Sequence, residues 1–299
     1  MSLVERALKK FQESRATTPG QGVMAPAPMA PLPRFEEPPA AAAREAAPTP
    51  ARVLHIDREG LRAKRLLPPP NQERLIADQY RQIKRPLIAS AFGRGAERIE
   101  RGQLIMIASA LPGEGKTFTS LNLALSMALE PDVSVLLVDA DVAKPHISEL
   151  LGAAQEPGLL DLLRDESLAL ESVVLPTDIP RLSFLPAGKP SSTATELLAS
   201  VRMQRIAEHL AATHSNRIVL FDSPPLLLTS ESRVVASLTG QVAIVVRAGE
   251  TPQRAVLDAL DLLGEGRHVA FILNQSDEVH AGYYEYYGQR VEGNGAAAS

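Results

Sequence analysis

The residue types best suited to chemistry stand at the ends of short apolar runs. The first group is Ser109-Ala-Leu-Pro-Gly-Glu-Gly-Lys-Thr117, which follows the strand-like run Gln103–Ser109 and opens the helical stretch Lys116–Leu129. Glycines at 113 and 115 let a backbone wrap a phosphate without Cβ clashes, so that successive N–H groups turn inward. The start of the helix adds positive partial charge at the same place. In such a loop Pro112, Gly113, Glu114, Gly115, Lys116, Thr117 and Phe118 would line the phosphates of ATP. Lys116 would reach the outer phosphates and Thr117 would ligate Mg²⁺. Ala110 stands where this pattern usually opens with Gly.

Two carboxylate groups follow the same logic. Val135-Leu-Leu-Val-Asp-Ala-Asp141 carries Asp139 to the carboxyl end of a strand and Asp141 onto the loop beyond it. Ligands bind at that end of a parallel sheet. There, two carboxylates can hold Mg²⁺ or its waters and accept a proton. Arg217-Ile-Val-Leu-Phe-Asp222 repeats the arrangement, with Asp222 placed for the Mg²⁺ shell. Each motif alone also describes a strand ending in a turn. Three strand ends in this order, each offering what a Mg·ATP site needs, point to one site.

A fourth group lies near the end of the chain. Gly282-Tyr-Tyr-Glu-Tyr-Tyr-Gly288 holds Tyr283, Tyr284, Tyr286 and Tyr287, four of the chain's five tyrosines. An adhesive tail or an edge strand would explain them. Beside an ATP site, a phosphoacceptor cluster explains them better. A phenol, with a pKa of about 10, needs a positioned carboxylate to take its proton.

The elements that must hold these groups alternate. Strands are predicted at Gln103–Ser109, Val133–Asp139, Leu182–Leu185, Arg217–Asp222, Gln241–Arg247 and His268–Asn274. Helices are predicted at 72–92, with Pro86 kinking or dividing it, and at Lys116–Leu129, Gly158–Leu163, Thr195–Ala212, Ser230–Ser237 and Pro252–Leu263. Runs such as Ile218-Val219-Leu220-Phe221 suit strands buried on both faces. The expected fold is α/β, a P-loop NTPase-type sheet, mostly parallel, with helices on both faces. Asn274, ending the last strand, is either a residue on the adenine side or a turn former. Thr251-Pro252 reads as N-cap and first helical residue.

Composition separates the rest of the chain. Half of the 24 prolines lie in the first 70 residues. Residues 15–70 are therefore expected to be a disordered Pro/Ala-rich linker, with too few large apolar groups to offset the entropy of ordering. Residues 1–14 are expected to form a short amphipathic helix, Ser2–Glu13, that either docks on a partner or lipid surface or frays on the protein itself. The catalytic domain is expected over 71–276 and a flexible tail over 277–299. Residues 1–101 are net +7 and residues 102–299 net −11, within an overall charge of −4. That balance argues against nucleic acid as a partner. The absence of cysteine excludes disulfides and thiolate chemistry. No stretch has the roughly 18–20 apolar residues that cross a bilayer, so the expected location is cytoplasmic.

Taken together, these residues resemble the bacterial tyrosine kinases, and more narrowly the autokinases of exopolysaccharide loci, including those associated with exosortase-type sorting. The resemblance covers roughly residues 72–288. It implies transfer of the ATP γ-phosphoryl group to Tyr283, Tyr284, Tyr286 and Tyr287, in trans between subunits. It assigns Lys116 and Thr117 to the phosphate loop. Asp139 and Asp141 fall in the family's second motif, one of them, Asp139 by preference, deprotonating the acceptor. Asp222 is the third-motif carboxylate, and Thr117, Asp139 and Asp222 are the metal set. The family's ring-forming motif, Glu-x-x-Arg-x-x-Arg, reads Asp78-Gln-Tyr-Arg81-Gln-Ile-Lys84 here, and Lys cannot reproduce the bidentate contact of Arg. Lys144 likewise stands where the family commonly has Arg. The resemblance further implies a homo-oligomer, ATP and Mg²⁺ as cofactors, and a separate membrane polysaccharide co-polymerase holding the kinase at the inner membrane. Rival readings are a partition-type P-loop ATPase, whose signature lysine would fall at Leu111, and a nucleotide-binding adaptor without kinase activity.

Overall fold

The computed structural model describes residues 52–264 and 266–276. The amphipathic Ser2–Glu13 stretch, residues 15–51 of the expected linker and the tyrosine cluster lie outside the described residues. The elements run α1 (Arg58–Ala63), α2 (Glu73–Phe92), β1 (Leu104–Ser109), α3 (Lys116–Ala128), β2 (Ser134–Asp139), α4 (His146–Leu150), α5 (Leu159–Arg164), α6 (Leu170–Val173), β3 (Leu175–Pro176), β4 (Leu182–Leu185), α7 (Ala194–Leu198), α8 (Val201–Thr213), β5 (Arg217–Asp222), α9 (Ser230–Leu238), β6 (Gln241–Arg247), α10 (Gln253–Leu263) and β7 (His268–Asn274).

Seven strands form one sheet in the order β3-β4-β2-β5-β1-β6-β7. All neighbours are parallel except β3, which runs antiparallel to β4. The central strands are buried on both faces because each alternates apolar side chains between two cores. On β1, Leu104, Met106 and Ala108 enter one core and Ile105 and Ile107 the other. On β5, Val219 and Phe221 oppose Ile218 and Leu220 in the same way. Helices α5, α7, α8, α9 and α10 cover the first face, while α2, α3 and α4 cover the second. Both faces are thus closed, and the open part of the central strands is their carboxyl ends. β1, β2 and β5 deliver Ser109, Asp139 and Asp222 there.

Three expectations change. Residues 52–70, assigned to the linker, are folded onto the domain. Leu54 bridges to Thr177, and Leu54, Ile56, Leu61, Leu66 and Leu67 are buried in the second core. Proline at 68–70 hid this, because the apolar residues before it are the ones that repay ordering. Helix α2 is not divided at Pro86 and continues to Phe92. A proline forfeits one backbone bond, while buried Leu87 and Ile88 keep the second half seated on the core. The single helix expected over Thr195–Ala212 is two, α7 and α8, divided where Ser200 accepts the Met203 N–H as N-cap of α8. Among the described residues no helix is long and apolar enough to cross a membrane.

Candidate active site

Parallel pairing of β2 with β5 sets Asp139 directly beside Asp222. Both are buried, at 0% and 2% exposure. The phosphate loop rises between β1 and α3, with Gly113 at φ +79° and Gly115 at φ +94°, conformations that L side chains rarely adopt. Gly115 caps α3 without a side-chain hydrogen bond. The N–H groups of Lys116, Thr117 and Phe118 therefore begin a 13-residue helix with no partner one turn back. That is the arrangement that attracts anions.

Asp222 is fixed by α3. Its carboxylate accepts Thr117 Oγ1 at 3.1 Å and Ser120 Oγ at 2.7 Å. Burial pushes its carboxyl up to about 6, opposed by Ser120, Lys116 and Thr117. Asp139 is fixed by α4, whose Ser148 donates its N–H at 2.8 Å and its hydroxyl at 2.7 Å to Oδ2. The other oxygen, Oδ1, is buried with no partner. Burial first, and then the Asp222 charge, push the Asp139 carboxyl up to about 7 against the pull of Ser148. Burial holds the Lys116 ammonium below its ordinary value, offset by Asp222, Asp141 and Glu114. Asp141 lies nearer the surface and accepts the Lys144 N–H at 3.1 Å. Burial raises its carboxyl too.

The chain matches the AAA domain family over residues 102–250. It is 28% identical over 218 residues to the tyrosine-protein kinase YwqD of Bacillus subtilis (strain 168), covering 72% of this chain and 88% of that one. It is 30% identical over 185 residues to the tyrosine-protein kinase ptk of Acinetobacter johnsonii, covering 61% of this chain but 25% of that one. The VpsO kinase domain superposes with a TM-score of 0.57 at 29% identity, covering 70% of this chain and all of that domain.

The chain is thus similar to bacterial tyrosine kinases in sequence and to a kinase domain in fold. The chain spans about a quarter of the Acinetobacter protein's length and most of the Bacillus one.

The sequence-predicted groups fall into two sets. Lys116, Thr117, Asp139, Asp141 and Asp222 come together around the phosphate loop, with Asp139 and Asp222 on neighbouring strands. Phe118 does not: its ring packs on Tyr80, centroids 6.5 Å apart, so only its backbone faces the loop. Asn274 touches the loop itself, donating from Nδ2 to the Glu114 carbonyl at 2.9 Å. Pro252, not Thr251, is the N-cap of α10. Lys84 is not presented to a neighbouring subunit. It is 3% exposed, donates to the Ser126 carbonyl at 2.6 Å and pairs with Glu130 at 2.8 Å. Asp78 and Arg81 pair with each other at 2.6 Å on the outer side of α2. The tyrosine cluster lies outside the described residues.

Two functional residues escaped the sequence reading. Ser120 lies one turn into α3 and had a usable signal, since it shares a helix face with Thr117. Ser148 had none: a serine nine residues past Asp139 becomes its partner only because α4 folds back. Among the described residues no group of three acidic or histidine side chains forms a metal site alone. That suits Mg²⁺, which is usually held by one or two carboxylates together with substrate phosphates. Thr117 and Asp222 fit that role, leaving the unpartnered Asp139 Oδ1 to accept a proton.

Proposed function

We propose that this chain is an ATP-dependent protein-tyrosine autokinase that modifies Tyr283, Tyr284, Tyr286 and Tyr287 of a second copy. The observation that carries the reading is the buried, unpartnered Asp139 Oδ1 beside Asp222 and the phosphate loop. A carboxylate oxygen left bare in a dry site is costly unless a proton or cation comes to it.

In this reading the loop amides and Lys116 neutralise the phosphates, and Thr117 and Asp222 would hold Mg²⁺. Bound there, Mg²⁺ would supply positive charge to offset what develops as the γ-phosphoryl group moves. The tyrosine oxygen bonds to the γ-phosphorus as the bond to the β–γ bridging oxygen breaks. The phenol proton passes to Asp139, whose carboxyl near neutrality suits a base. Asp141 sits at the mouth, where its charge can steer the tail or share metal-bound water. The transfer needs alignment and charge neutralisation more than covalent help.

Each phosphotyrosine adds about −1.5 to −2 charges to a tail that leaves an acidic body, residues 102–299 being net −11. Repulsion would then release the tail and loosen the oligomer. That would tie phosphorylation to assembly and, through a membrane polysaccharide co-polymerase, to exopolysaccharide export. Asp78 and Arg81, exposed or half-buried on α2, remain the candidates for the contact between copies. The test is direct: pure protein with Mg²⁺ and ATP should gain phosphate on 283–287, read by mass spectrometry. Label that persists at full rate in Lys116→Met would overturn the proposal.

A further inference from the structure

Glu114 projects from the middle of the phosphate loop, yet it is buried, 2% exposed. Both of its carboxylate oxygens are occupied. Oε2 accepts the Leu111 N–H at 2.6 Å, and Oε1 accepts the Thr251 hydroxyl. Thr251 Oγ1 itself accepts the Arg247 N–H at 3.0 Å. Since a hydroxyl has one proton to give, this leaves the Thr251 proton committed to Glu114. The Glu114 carbonyl is held separately, by Asn274 Nδ2 at 2.9 Å. That amide nitrogen also fills the space a Cβ at Gly115 would need, and Gly115 is at φ +94°. Thr251 follows β6 and Asn274 ends β7. The two outer strands on this side of the sheet therefore grip a loop carried by β1.

We propose that Thr251 and Asn274, acting through Glu114, are positioning residues for the nucleotide. In a trans peptide the C=O and the following N–H point in opposite directions. Holding the Glu114 carbonyl toward Asn274 turns the Gly115 N–H away from it, toward the space the phosphates would take. The Leu111–Glu114 bond closes the first turn of the loop on itself, and Thr251 keeps the carboxylate in the orientation that makes this bond. A braced loop meets the phosphates already ordered, whereas an unbraced loop must be ordered by the nucleotide at the expense of affinity. The brace also explains why this loop tolerates Ala110 in place of an opening Gly: its shape is imposed from β6 and β7 as well as by its own glycines. The inference rests on the ATP-site reading, but not on tyrosine being the acceptor.

The test is calorimetric binding of Mg·ADP to the full-length chain, with thermal unfolding recorded alongside. Thr251→Val should weaken Mg·ADP binding about tenfold, the loss of one good hydrogen bond to a charged acceptor. Thr251→Ser should restore it, and Asn274→Ala should weaken it to a similar extent. A purely structural role would lower the unfolding temperature and leave affinity intact in the folded protein. Should Thr251→Val fail to fold, Asn274→Ala and amide exchange at Leu111 carry the test. Faster exchange there with weaker Mg·ADP binding supports the brace. Unchanged affinity in the folded variants overturns it. No Mg·ADP binding by the unsubstituted chain would instead overturn the ATP-site reading beneath it.

Discussion

At the residue scale the site is built on charges that the fold does not want. Asp139 and Asp222 are adjacent, buried and both raised, to about 7 and about 6. A carboxyl whose folded value lies above its unfolded value of about 3.9 favours the fold at low pH. That contribution is full below the unfolded value and is lost as pH rises through the folded value. The nucleotide-free protein should therefore lose stability between about pH 4 and pH 7 through this pair, measured by urea unfolding across that range. Removing one charge should reverse the effect. Asp139→Asn should stabilise the nucleotide-free chain at pH 8 by about 1–2 kcal/mol while nearly abolishing phosphoryl transfer. A variant that is less stable and still active would contradict the assignment of Asp139 as the base. The rate of the unsubstituted chain should rise with pH through about 7, as Asp139 becomes able to accept a proton.

Phosphate loop and strand-end carboxylates were legible in the sequence because each is a local pattern with its chemistry written in residue type. Ser148 and the Thr251–Glu114 contact were not. Ser148 reaches Asp139 only because α4 folds back onto it, and 137 positions separate Thr251 from Glu114. Only the fold brings such partners together.

At the element scale, α2 is latched to α3. Lys84 spans them, reaching the Ser126 carbonyl in the last turn of α3 and the carboxylate of Glu130 just past it. Tyr80 packs against Phe118 at the other end of α3. Motif reading put Lys84 at a subunit contact because the charge pattern of α2 is visible in the sequence and the packing of that helix is not. Lys84→Ala should cost about 1–3 kcal/mol of stability, since it strips a buried carbonyl and an acidic side chain of one shared partner. Chemical denaturation measures this. An unchanged midpoint with altered assembly would return Lys84 to the interface. The strands were read to within a residue because runs buried on both faces are continuous. The short α4, α6 and β3 were missed because four or five residues, or two, carry no period.

At the scale of the whole molecule, the domain begins earlier than its composition suggests. Five buried side chains between Leu54 and Leu67 belong to the second core, and Asp178 accepts the Ile56 N–H at 3.0 Å. Leu61→Ala should therefore cost about 2–4 kcal/mol, and a chain starting at residue 71 should unfold well below the full-length protein in a thermal melt. An indistinguishable melt would mean the segment is decoration. The same global view makes the charge division meaningful. In the proposed reading, a basic N-terminal part and an acidic body, net +7 and net −11, would draw neighbouring copies together before the tail is modified.

Transfer from one copy to another is tested by a two-chain mixture. One chain carries Lys116→Met and an intact tail; the other carries phenylalanine at 283, 284, 286 and 287 and an intact site. With Mg²⁺ and ATP, phosphotyrosine should appear at 283–287 of the Lys116→Met chain and only in the mixture. A Lys116→Met tail that stays unmodified, while the unsubstituted chain alone is labelled, would contradict transfer in trans.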